Sequence, residues 1–205
     1  MPISVLGIAG SPRRGGNTET LLDHALAGAQ GAGAVTEKVA LRELHLSGCI
    51  CPKLEDCLQE GVCSVQDDMQ MLYTKLLECD LLVIASPIFF RSVPAQLKAM
   101  IDRCQAIWVR KYKLSQNVTP TRTTPRRTLF ISVANQNGRR EFEGAIIMLR
   151  TLFATLNARY EAELLVEGLE RPRDIHARPD YLEKACDLGA RLAREESAKQ
   201  TGGDA

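Results

Sequence analysis

ISVLGIAGSPRRGGNTETLLDHALAGAQ, residues 3 to 30, decides how the rest of the chain is read. Its opening run, ISVLGIA, is apolar and of the length of one buried strand. Leu21, Leu22, Ala25, Leu26 and Ala29 then recur at the spacing of a single helix face. Between strand and helix lies GSPRRGGNT, residues 10 to 18, a turn of glycine, hydroxyl and arginine. A loop entering a helix N-terminus presents unpaired backbone N–H groups and a positive dipole end, which together favour phosphate. Ser11, Asn17 and Thr18 add side-chain donors, and Gly15 and Gly16 let the backbone approach a ligand. The same residues also suit a plain polar turn that caps the helix, and both readings stand here. Two nucleotide motifs are missing. From Gly10 the spacing G-x-x-x-x-G reaches Gly15, but Gly16 and Asn17 stand where a triphosphate loop needs Lys and Ser or Thr, and no G-x-G-x-x-G follows the strand. With no lysine and no metal-binding acid assigned to the turn, a single terminal phosphate fits best.

The strand–helix alternation continues outward. VTEKVALREL (35–44) reads as a second strand with Val35, Val39 and Leu41 on one face; Met69, Leu72 and Leu76 mark a helix; DLLVIAS (80–86) is the next buried strand. Leu97, Met100, Ile101, Cys104, Ile107 and Trp108 stripe a long helix from about Pro94, since proline is favoured in a first turn. RTLFISVA (127–134), a helix over about 141–157, YEAELLVE (160–167) and a charged terminal helix complete the series. Apolar strands separated by helices mean a parallel sheet covered on both faces. The expected class is α/β: a flavodoxin-like three-layer α/β/α fold with a five-stranded parallel sheet in the order 2-1-3-4-5. Ligands of such folds bind at the carboxyl ends of the strands near the switch point. The loops after residues 9, 86 and 134 are therefore expected to converge on one site.

The chain has 205 residues, with 26 basic against 25 acidic side chains, so no global field points to nucleic acid. Residues 1–198 read as one domain with a cysteine-rich insert at 47–66 and a basic loop at 110–127, and residues 199–205 as a disordered tail. The longest apolar stretch, LLVIASPIFF (81–90), is far short of the roughly 20 residues that span a bilayer. No basic region precedes an apolar core at the N-terminus. The expected location is the cytoplasm, away from membranes, where the seven cysteines stay reduced.

SPIFFRSVPAQLKAMIDR (86–103) places Pro87, Ile88, Phe89 and Phe90 just past a buried strand, where a flat ring can lie against apolar side chains or where two phenylalanines simply join the core. Together with the GSPR turn and its Asn-Thr, this segment resembles the NADPH-dependent FMN reductase family, whose members carry a SPIYFGSVPAQLKAFIDR-like run. The resemblance covers most of residues 3–167. It implies FMN as cofactor, with Ser11, Arg13, Gly16, Asn17 and Thr18 at the phosphate, Pro87, Ile88, Phe89 and Phe90 at the isoalloxazine ring, and the loop Ala134, Asn135, Gln136 to Gly138 closing the other side. The family's usual small residue after the aromatic pair is Arg91 here, which reads as a charge near the flavin, a narrowing of substrate access, or a surface arginine.

The flavin carries the redox chemistry, so no protein nucleophile or acid–base pair is assigned. His24, His45 and His176 show no metal-ligand spacing, and Asp67 and Asp68 read as caps of a helix start. The segment 110–127 holds six basic residues and two prolines, and reads either as a lid that attracts an anionic donor such as NADPH or an acidic electron-transfer protein, or as a solvated loop. The resulting expectation is a flavin-dependent oxidoreductase taking electrons from NAD(P)H or a ferredoxin-like protein to an acceptor. An electron carrier or redox sensor acting only with a protein partner is the alternative. Trp108, Phe89, Phe90 and the helix from 94 leave apolar surface that, with the family resemblance, implies a homodimer or homotetramer.

SGCICPKLEDCLQEGVCSVQDDM supplies Cys49, Cys51, Cys57 and Cys63 within fifteen residues. The iron–sulfur flavoproteins, a branch of the same family, carry C-x2-C-x2-C, a further Cys about six residues on, and often Asp-Asp-Met. Cys51, Cys57, Cys63 and Asp67-Asp68-Met69 match that pattern, but Leu54 stands at the second cysteine, and Cys49 is the candidate replacement. A [4Fe–4S] cluster, a zinc ion and no metal are the three readings kept for this insert.

Overall fold

The computed structural model describes residues 2–51, 54–119 and 124–202. Five strands, β1 (Ser4–Ala9), β2 (Val35–Ala40), β3 (Leu81–Pro87), β4 (Arg126–Val133) and β5 (Ala158–Val166), pair in parallel in the order β2-β1-β3-β4-β5, as expected. The helices are α1 (Asn17–Gly31), α2 (Leu54–Glu60), α3 (Met69–Glu78), α4 (Ala95–Arg103), α5 (Gln105–Trp108), α6 (Glu143–Thr155) and α7 (Pro179–Gly202).

Side chains that alternate along each apolar run build two separate cores. Leu6, Ile8, Leu82, Ile84 and Phe130 face Leu72 and Leu76 of α3, Leu97 and Met100 of α4, and Leu149 and Phe153 of α6. Val5, Ala9, Val83, Leu129 and Ile131 face Leu21, Leu22 and Leu26 of α1 and Leu192 of α7. The three central strands, β1, β3 and β4, bury both faces, which is why they read as continuous apolar runs rather than as alternation.

The register aligns the carboxyl ends: Ala9 lies beside Ala85, Pro87 beside Val133, and Val133 beside Val166. All the strand-end loops therefore leave the sheet along one edge. The order places the switch point between β1 and β3, so the loops after these two strands diverge to opposite faces and leave a crevice.

Four expectations need correction. Val35 is 61% exposed, because β2 is an edge strand and only Val39 and Leu41 reach the core. The helix from Pro94 breaks at Cys104, whose amide bonds both Met100 and Ile101 carbonyls; the apolar stripe stays in phase across the break, so periodicity does not report it. The basic segment 110–127 is irregular over its described middle, but most of its cations lie at its ordered ends: Arg110, Lys111 and Lys113 are on a π-helical turn (Val109–Lys113), and Arg126 and Arg127 are in β4, with Arg126 fully buried. Its sixth cation, Arg122, lies outside the described residues. Finally, α7 runs to Gly202, four residues into the segment read as a disordered tail, and 203–205 lie outside the described residues. No helix among the described residues is long and apolar enough to cross a membrane.

Candidate functional site

A cavity of about 500 Å³ opens at the carboxyl edge of the sheet. One wall is the turn after β1. Ser11 is nearly buried and its Oγ accepts the amide of Arg13 at 3.1 Å, while Gly15 takes φ +61°, a conformation that costs a side-chain-bearing residue strain. α1 then begins at Asn17 with no side chain capping it, so the capping reading of this turn is set aside and its first-turn amides, beside the cavity, have no side-chain partner. Ser11, Arg13, Gly16, Asn17 and Thr18 all line it.

Two residues of this wall behave in ways the sequence did not announce. Asn17 donates from Nδ2 to the Arg171 carbonyl at 2.9 Å, and its Oδ1 accepts the Ile175 amide at 3.3 Å, so its side chain ties α1 to the loop after β5. Glu19, almost fully buried, accepts the Gly15 amide at 2.7 Å, both Arg42 Nη groups at 3.0 and 3.1 Å, and Lys38 at 3.2 Å. Burial pushes this carboxyl up, but the Arg42 guanidinium, the Gly15 amide and Lys38 outweigh it and hold Glu19 below the usual carboxylate range. A neutralised carboxylate thus fixes the underside of the turn without repelling an anion above it.

The opposite wall follows β3. The Ile88 amide bonds the Val133 carbonyl at 2.9 Å, which fixes the chain against β4. Phe89 and Ser92 then exchange both backbone hydrogen bonds at 2.9 Å around a two-residue turn, with Phe90 at φ +50° and Arg91 at φ +58°. Phe89 is 41% exposed and Phe90 is completely so, which removes the reading of both rings as core. Pro87, Ile88, Phe89 and Phe90 line the cavity with Val133 and Asn135.

Of the third loop, Asn135 reaches this cavity. Ala134 and Gln136 line a neighbouring pocket instead, and Gly138 reaches neither, serving as the φ +111° residue before a 3-10 turn (Arg139–Glu141). The cavity also gains Leu169, Glu170 and Pro172 from the loop after β5. This fourth strand-end loop has a signal in the strand order, since β5 ends on the same edge as β4.

The cysteines gather elsewhere, beside α4. Cys49, Cys51, Cys57 and Cys63 line one small pocket with Arg103, and the Cys49 and Cys51 sulfurs stand 3.3 Å apart. Burial pushes the Cys49 thiol up to about 11, and the adjacent Cys51 acts in the same direction. Arg103 is buried beneath the insert and donates from Nε to Cys63 Sγ at 3.2 Å, from both Nη groups to the Ser47 and Val65 carbonyls, and to both oxygens of Asp67. Asp67 also accepts the Ser47 and Met69 amides at 2.9 and 3.1 Å, so it meets the start of α3 while clasping the insert, whereas Asp68, the N-cap residue, makes no side-chain cap bond and accepts the His45 amide at 2.7 Å instead.

Residues 3–163 match the NADPH-dependent FMN reductase family. The chain belongs to that family. It is 37% identical over 105 residues to an iron–sulfur flavoprotein of Methanocaldococcus jannaschii (51% of this chain, 53% of that protein) and 31% identical over 116 residues to an iron–sulfur flavoprotein of Methanosarcina thermophila (57% and 60%). This FMN reductase family member spans little more than half the length of these curated relatives within the matched region. Among solved structures, it superposes on an NAD(P)H:quinone oxidoreductase from Methanothermobacter marburgensis with a TM-score of 0.74 at 17% identity, over 94% of this chain and 96% of that one. It superposes on a flavone reductase with a TM-score of 0.71 at 18% identity, over 97% and 64%. At such identities the likeness shows the shared flavodoxin-like fold.

The family membership makes the cysteine pocket a question of fit. Among the described residues, those of the insert included, no three His, Cys, Asp or Glu side chains converge closely enough to hold a metal ion. The insert's donor set is nevertheless four thiols around one pocket with no carboxylate or imidazole, the chemistry that a cubane cluster takes. The same four thiols also suit zinc, and for a cubane the Cys49–Cys51 pair, 3.3 Å apart, would have to part.

Proposed function

We propose that this FMN reductase family member is a flavin-dependent oxidoreductase that holds FMN in the 500 Å³ cavity and passes electrons from a reduced donor, NAD(P)H or a ferredoxin-like protein, to an acceptor. The observation that carries the reading is the pairing of an uncapped α1 N-terminus with an apolar wall of Pro87 to Phe90 across one crevice. FMN when bound supplies the electron-transfer chemistry. The protein's own residues bind and orient. The α1 amides, Ser11, Arg13 and Thr18 hold a terminal phosphate; Pro87, Ile88 and Phe89 back the ring; Asn135 closes the far side. Asn17 acts indirectly, by fixing the loop that brings Leu169 and Glu170 to the rim.

Cys49, Cys51, Cys57 and Cys63 would hold a [4Fe–4S] cluster, which supplies one-electron transfer. Relatives named iron–sulfur flavoproteins and the all-thiol pocket support this assignment. The completely exposed Phe90 and the 68% exposed Ile147 support a homodimer or homotetramer, whereas Trp108 is partly covered by Tyr112. The place of work is the cytoplasm, where free thiols persist.

The test is anaerobic NADPH and NADH oxidation with a quinone or free flavin as acceptor. Turnover above background supports the enzyme. Bound flavin that NAD(P)H or a ferredoxin reduces, but that neither quinone nor free flavin reoxidises above background, assigns an electron carrier acting with a protein partner instead.

A further inference from the structure

A second pocket, of about 430 Å³, adjoins the first and shares Ile88, Phe90 and Asn135 with it. Its remaining lining is Arg91, Ala134, Gln136 and Glu141. Phe90 projects wholly into solvent on the rim common to both. The pocket therefore offers an aromatic face, two carboxamides, one cation and one carboxylate beside the wall where a ring would lie in the first cavity.

Arg91 stands in that pocket at a cost. It is the second residue of a two-residue turn whose central positions both have positive φ, a geometry for which glycine or asparagine is the usual choice. The turn does not yield there. The Arg91 carbonyl packs on Gly144 of α6 so closely that a Cβ on Gly144 would come within 2.4 Å of it. The side chain gains one ion pair, Nη2 to Glu141 at 3.2 Å, but the guanidinium is 66% exposed. An exposed ion pair returns less than a left-handed arginine costs, so the pair with Glu141 does not account for the residue. A guanidinium fork with free N–H groups at the mouth of an aromatic-rimmed pocket is instead suited to an anion.

We propose that the second pocket seats the electron acceptor beside the flavin, and that Arg91 selects molecules that are planar and carry a negative charge, such as a sulfonated or carboxylated quinone. This rests on the placement of FMN in the first cavity. Glu141 competes with the bound anion for Arg91 and moderates the selection. Phe90 supplies the stacking surface, and Arg91 supplies the sign of the charge.

The experiment uses the FMN-loaded protein, reduced anaerobically with dithionite and mixed with menadione, which is neutral, or 1,2-naphthoquinone-4-sulfonate, which is anionic. Reoxidation of the flavin is followed as a function of quinone concentration; the reduced flavin gives up two electrons, and the quinone takes them with two protons as hydroquinone. The quantity read is the ratio of half-saturating concentrations, menadione over sulfonate, so that the quinones' different potentials cancel between variants. R91G, which relieves the strained turn, should lower that ratio about tenfold, and R91K, which keeps charge without the fork, should fall between. E141Q should raise it. The proposal is overturned if R91G and E141Q move the ratio in the same direction, or if both leave it within twofold of the original. FMN content measured on the same samples separates the two levels: no bound FMN in the unmutated protein overturns the cavity assignment itself, whereas normal FMN with an unmoved ratio overturns the role of Arg91 alone.

Discussion

Arg103 closes a two-pronged pair on Asp67, Nη1 to Oδ2 at 2.7 Å and Nη2 to Oδ1 at 3.1 Å, and its other three N–H groups are taken by Cys63 Sγ and the Ser47 and Val65 carbonyls. All five donors of the guanidinium are spent. Because Ser47 and Val65 flank the cysteine insert, one buried side chain of α4 holds both ends of it. Burial pushes Asp67 up, but Arg103 and the two backbone amides outweigh it and hold the carboxyl below its ordinary range.

Removing one partner of such a pair leaves a buried charge without compensation, at a cost of about 3 to 5 kcal/mol. R103M and D67N should each lower the urea unfolding free energy by that order. Because the two residues form one network, the double variant should lose clearly less than the sum of the singles. Additive losses would mean that the pair is not coupled.

Glu19 makes a prediction about pH. Its folded-state pKa lies below the ordinary 4.5, so it adds stability above that value and loses it as pH falls through the lowered one. E19Q should therefore cost about 2 to 3 kcal/mol near pH 7. The difference from the unmutated protein should shrink as pH falls below 4.5 and through the lowered value, because the carboxylate of the latter is then protonated too. Equal destabilisation across pH 3 to 7 would contradict the charge-based account of the turn.

The cysteine pocket predicts about four irons per chain after anaerobic reconstitution, with a broad absorbance near 400 nm beneath the flavin bands. C63A should lose the iron and keep the flavin, because the pocket beside α4 shares no lining residue with the 500 Å³ cavity. Iron below about one per chain in the unmutated protein, or zinc in its place, would contradict the assignment.

Much of the fold was legible because a doubly covered parallel sheet writes itself as apolar runs between helical stripes, as in ISVLGIA and DLLVIAS. The break at Cys104 was not legible, because a helix can change its course while its buried stripe stays in phase. The site followed the same division. Ser11, Arg13 and Pro87 to Phe90 were readable from glycine, hydroxyl and aromatic residues at strand ends. Glu19 was invisible as a support of the turn, since its partners Arg42 and Lys38 come from beyond another element and only the folded sheet brings them together. Arg103 was hidden for a similar reason: an arginine at the end of an amphipathic helix reads as exposed, and this one is buried.

The most direct measurement is the identity and affinity of the flavin. The turn at residues 10–18 leads into an α1 N-terminus with no side-chain cap, and the cavity it lines is also walled by Pro87 to Phe90. Flavin released by heat from the purified protein should run as FMN on chromatography, and titration of the flavin-free protein should show FMN binding at least tenfold more tightly than FAD or riboflavin, a preference that R13A weakens. Released FAD, equal affinity for riboflavin, or no flavin binding would contradict the account.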